Sequence, residues 1–185
     1  MLLAAASLLA AAAADPSADL ALLHAFEAPC SQVADIGAAR AAAPAAGWTP
    51  IDEGDDARIA RLAKLGREAT EGEGTVTGSV FKRTHSGRAV FLFLSRFEDG
   101  EGYWGNGCRL YDFDAAEPMD FATVKSWIGK EPTGVVESQG ITRRLWEPWV
   151  SGRTFEFSYV PASSAQAHAT GLSGVVLVAS AIGGF

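Results

Sequence analysis

The spacing of apolar positions changes near residue 75, from a helical period to a strand period. Before that point, Leu20 to Glu27 reads as a short helix, with Asp19 as N-cap and Pro29 as its stop. Ser31 can cap a second helix from Gln32 to about Ala43, ended by Pro44. Residues 45–50 read as a turn punctuated by Gly47 and Pro50, with Trp48 directed into the core. Asp55 and Asp56 precede a third helix, Ala57 to Ala69. There Ile59, Leu62, Ala63 and Leu65 form one stripe, while Arg58, Arg61, Lys64 and Arg67 face the other way, as on a surface helix.

From Thr75 to Thr84 the chain alternates, with Val76, Gly78, Val80 and the Lys82 stem on one side and Thr77, Ser79, Phe81 and Arg83 on the other, and Arg88 to Phe97 is rich in aliphatic and aromatic residues. With His85-Ser86-Gly87 between them, the two segments predict a β-hairpin. Tyr103 to Phe113 predicts the next strand. A short helix follows, from an Asp120 cap through Trp127, with Gly129 closing it. Residues 135–137, 141–146, 153–160 and 172–182 complete the strands, and 162–170 reads as a polar loop. Helices first and strands afterwards predict an α+β fold: N-terminal helices, then a mainly antiparallel sheet with one inserted short helix. With no internal repeat or long linker, residues 15–185 read as one domain.

The first 14 residues, MLLAAASLLAAAAA, are apolar and uncharged. The run is shorter than the roughly 20 residues a membrane-spanning helix needs. It ends in small residues, with Ala12-Ala13-Ala14 as the best cleavage site before Asp15-Pro16. That is the pattern of a signal peptide, though its leading region carries no Lys or Arg. Export predicts a periplasmic or secreted chain. Two cysteines in such a chain, Cys30 and Cys108, predict one disulfide linking the helical region to the central sheet.

The net charge of -7 argues against nucleic acid and against docking on anionic lipid, both of which rely on Lys and Arg. The histidines, His24, His85 and His168, lie in separate segments without ligand spacing, so neither a metal site nor a cofactor is expected. No G-x-S-x-G elbow surrounds Ser95 or Ser173. Gly72, Gly74 and Gly78 lead into a strand, which gives a phosphate no helix N-terminus. A barrel needs at least about eight long strands, more than these short segments supply.

Two candidate constellations remain. Arg and aromatic side chains are enriched at binding sites, which singles out Trp104, Arg143, Trp146 and Trp149. On this reading, alanine at Trp146 or Trp149 weakens binding and leaves the fold largely intact. Asp112, Asp114 and His85 could instead supply acid–base groups if the fold brought them together.

Cys30, the segment Ala46-Gly47-Trp48 and the run Gly107-Cys108-Arg109-Leu110-Tyr111-Asp112-Phe113-Asp114 together resemble small exported proteins of alphaproteobacteria. The resemblance spans most of the chain after residue 14. It implies export and the disulfide, and transfers no catalytic residue. The leading expectation is an exported, non-enzymatic domain that binds a small ligand or a protein. The alternatives are an exported hydrolase and a structural envelope protein.

Overall fold

A computed structural model describes residues 15–138 and 140–184. The expected signal peptide, residues 1–14, lies outside them. Helix α1 runs Pro16–Cys30, longer at both ends than the sequence predicts. Asp15, rather than Asp19, caps it by accepting from the Ser17 N–H at 3.0 Å. The helix also continues through Pro29. Proline removes the donor that would serve the Ala25 carbonyl, and the Trp48 indole N–H supplies it instead at 2.9 Å.

The second helix is shorter than expected: α2 is Ile36–Ala42, capped by Asp35, whose side chain accepts from the Ala38 N–H. Ser31 instead ends α1, because residues 31–35 turn toward the sheet. The Asn106 amide holds that turn by donating to the Val33 and Ala34 carbonyls at 2.9 and 3.2 Å.

Within the expected turn lies a short strand, β1, Thr49–Ile51. Its Pro50 is tolerated because β1 is an edge strand. Helix α3, Ala57–Ala69, matches the sequence reading and is capped by Asp56. The hairpin follows as β2, Thr75–His85, and β3, Arg88–Glu98, joined at Ser86 and Gly87, both with positive φ. β4 is Trp104–Asp112 and α4 is Phe121–Ile128, the latter closed by a left-handed Gly129. Next come β5, Gly134–Ser138, β6, Ile141–Trp146, and β7, Thr154–Val160. The expected polar loop contains a short helix, α5, Ala165–Thr170, because the Ser164 hydroxyl caps the Ala167 N–H. β8 is Gly174–Gly183.

The eight strands among the described residues form one antiparallel sheet, in the order β1-β2-β3-β4-β8-β7-β6-β5. The chain climbs from the edge to the centre through β1–β4. It crosses by way of α4 to the far edge and returns through β5–β8. The two halves meet where β4 pairs with β8. The α+β class and its antiparallel sheet are as the sequence predicts.

Alternation gives the sheet two unlike faces. Val90, Leu92, Leu94, Cys108, Leu110, Phe155, Phe157, Leu177 and Ala179 point to one face and are buried with residues of α1, α2 and α4. The Cys30–Cys108 disulfide fastens the end of α1 to β4 on this face. The opposite face carries a smaller cluster in which Ile59 of α3 meets Val80, Phe91 and Phe113. Among the described residues, no helix is long and apolar enough to cross a membrane.

Candidate functional site

Strand β4 divides its labour by parity. Its even residues hold the helices: Asn106 bonds the turn after α1, Cys108 forms the disulfide, Leu110 is buried and Asp112 binds Arg88. Its odd residues, Gly105, Gly107, Arg109 and Tyr111, line a cavity of about 580 Å³ on the opposite face, beside α3. That volume lies within the range of small-molecule sites.

The cavity exists because one row across the sheet lacks bulk. Gly78, Ser95, Gly107 and Ser180 stand opposite one another on β2, β3, β4 and β8. Thr154 of β7 continues the row, its hydroxyl 2.7 Å from that of Ser180. The rows on either side are larger apart from Gly105: Val80, Phe93, Arg109 and Val178 on one, Val76, Phe97, Gly105 and Ile182 on the other. The result is a trough. Strand spacing of about 4.8 Å makes it roughly 14 Å from β2 to β8. Leu62, Leu65, Gly66 and Ala69 of α3 line it at the β2 side. Leu65 and Ile182 are 40% and 58% exposed, unusual for large apolar side chains, and both border the opening.

Arg109 and Tyr111 of β4 are among the polar side chains that line this largely apolar trough. The Arg109 guanidinium lies along the sheet over Gly107, where a Cβ would come within 2.1 Å of its Nη1. It donates to the Ser95 hydroxyl at 2.8 Å. No carboxylate pairs with it among the described residues. Tyr111 stacks on Phe113 at 5.3 Å, and its hydroxyl makes no hydrogen bond among the described residues. Burial pushes that phenol's pKa up, partly offset by the Arg109 charge. It therefore remains a neutral donor at physiological pH.

Trp104, Arg143, Trp146 and Trp149 occupy separate places. Trp146 is fully buried between α4 and β7, its indole N–H donating to the Lys130 carbonyl at 3.1 Å. Trp149 packs on Phe26, Trp127 and Phe155 at the edge of the same core. Arg143 points to the other face and pairs with Glu156 at 3.1 Å. Trp104 lies near the end of the sheet under the Arg96 guanidinium. The structure places only Trp146 and Trp149 near each other.

Compared with known protein families, curated proteins and solved structures, the chain matches none.

His85 and Asp112 do come together, in a second cavity of about 250 Å³ beneath the start of α1, with Asp19 and Arg88 also in its lining. Both Asp112 oxygens accept from Arg88, at 2.7 to 3.3 Å. Asp114 diverges and pairs with Arg58 at 2.9 Å. Desolvation holds the His85 imidazole below its usual 6.5, although Asp112 pulls the other way. As pH falls, the unfolded chain protonates His85 first. Stability present above 6.5 therefore declines through that value toward the lower folded pKa. The expected result is a lower urea midpoint at about pH 5.5 than at about pH 7.5, with a smaller difference in His85→Gln. An unchanged difference would remove His85 as its source.

Arg109, Tyr111, Ser95 and the bare row do not form a local motif. The usable signal is the parity of Gly105, Gly107, Arg109 and Tyr111 within one strand, and it becomes a site only once the neighbouring registers are known.

Proposed function

We propose that this chain is an exported, periplasmic or secreted, non-enzymatic binding module that takes a small ligand into the trough beside α3. The observation that carries the reading is the bare Gly78–Ser95–Gly107–Ser180 row. A cavity of ligand size lies over it, lined by Arg109, which has no carboxylate partner among the described residues. Gly78 and Gly107 leave room for the Phe93 ring and the Arg109 guanidinium to lie across the row, which keeps the cationic group on the trough floor. The Cys30–Cys108 bond and the apolar leader support export.

Acid–base hydrolysis is the second reading, favoured by His85 and Asp112 lining one cavity. It is weakened by Arg88, which occupies both oxygens of Asp112.

The test is native mass spectrometry of the chain recovered from the exported fraction of its host. The expected species lacks the leader, is oxidised and carries a non-covalent small molecule. Gly105→Leu provides the comparison. A Cβ at Gly105 meets only Ile182, at 3.8 Å, so leucine enters the trough without backbone strain. It should remove the bound molecule and leave the denaturation midpoint unchanged or slightly higher. A molecule retained equally by Gly105→Leu would place the ligand elsewhere. A chain recovered unprocessed and reduced would contradict export.

A further inference from the structure

We infer that the ligand is a singly charged carboxylate on an apolar body, with the carboxylate bound by Arg109 and Tyr111. The inference rests on the trough being the ligand site and adds the chemistry of what fills it.

Sign comes first. The chain carries a net charge of -7, yet the charged side chain on the trough floor is cationic. Arg67 and Glu53 at the rim pair with each other at 2.9 Å and neutralise one another. Arg109 has only the Ser95 hydroxyl as acceptor among the described residues. None of its remaining N–H groups is buried, so they stay open to an acceptor that a ligand brings. Carboxylates suit the guanidinium because their two oxygens match the planar donor fork.

Charge number follows from the donors. On the floor Arg109 has no carboxylate partner among the described residues, and two phenols, Tyr103 and Tyr111, also line the cavity; burial keeps the Tyr111 phenol neutral, and it makes no hydrogen bond among the described residues. This set balances a single negative charge. A phosphate dianion would bring a second charge into an apolar enclosure without a second cation to meet it.

The apolar body follows from the walls. The Phe93 and Phe97 rings lie across Gly78 and Gly74 of β2 and its lead-in, and Leu62 and Leu65 of α3 line the same cavity. The trough's length of roughly 14 Å suits a medium-length alkyl chain or a flat ring system better than a sugar or a short acid. Leu65 and Ile182, exposed at the rim, would be covered by such a body.

The test is calorimetric titration of the oxidised full chain with sodium decanoate, decan-1-ol and decyl phosphate, each below its aggregation limit. Decanoate should bind one to one and at least about tenfold more tightly than decanol, the difference expected for a charge-assisted pair. Arg109→Gln should erase that difference, Tyr111→Phe should narrow it, and Gly105→Leu should abolish binding of both. If Arg109→Gln does not fold, judged by its denaturation midpoint, Tyr111→Phe carries the test. Decanol binding as tightly as decanoate, with Gly105→Leu still abolishing both, would overturn the carboxylate anchor and leave the trough. Tighter binding of decyl phosphate would overturn the single charge. Binding of none of the three, or binding untouched by Gly105→Leu, would overturn the anchor and the trough together.

Discussion

Replacing both cysteines, as Cys30→Ala with Cys108→Ala, is expected to lower stability by about 4.5 kcal/mol, the value the chain-entropy model gives for this loop. The bond joins residues 78 positions apart, and both cysteines are fully buried. The loss is a large part of the roughly 5 to 15 kcal/mol that holds an ordinary domain together. It should not be uniform. Asn106 still bonds Val33 and Ala34 when the disulfide is gone, so the turn after α1 keeps a polar clasp on β4. The trough lies on the other face of β4 and touches neither sulfur. Denaturant midpoints should therefore drop sharply, while ligand affinity of the folded fraction changes little. A double variant within about 0.5 kcal/mol of the oxidised chain would show that the bond adds nothing to stability.

Trp146→Ala is expected to cost about 3 to 5 kcal/mol, the range for removing a large buried aromatic side chain. Trp146 is 0% exposed and packs on Phe155 and Phe121 at 5.4 and 6.4 Å between ring centres. Alanine also strands the Lys130 carbonyl that accepts the indole N–H. Trp146→Phe keeps most of the packing and loses the hydrogen bond, so it should cost roughly half as much. Urea denaturation separates this from a binding role. A Trp146→Ala chain of near wild-type stability that no longer binds ligand would return Trp146 to the candidate site.

Local signals were sufficient where the deciding contacts are local. The Asp56 cap and the Ile59–Leu62–Leu65 stripe define α3, Gly129 ends α4, and Ser86-Gly87 turns the hairpin. They were insufficient where a distant residue decides. Pro29 reads as a stop because nothing nearby announces that Trp48 will serve the Ala25 carbonyl. β1 reads as a turn because its pairing with β2 lies about 30 residues ahead. The trough is the extreme case. Gly78, Ser95, Gly107 and Ser180 carry no pattern until three registers align them. Arg143 and Trp146 drew attention through proximity in sequence, but an odd separation within one strand sends them to opposite faces.

The most direct test of the trough as the binding site is an amide NMR titration of the ¹⁵N-labelled chain with sodium decanoate. Saturable shifts are expected to concentrate at Gly78, Ser95, Gly105, Gly107 and Ser180, with Arg109 side-chain resonances moving at the same concentrations. Shifts centred on His85, Arg88 and Asp112, or the absence of any saturable shift, would contradict a site in the trough.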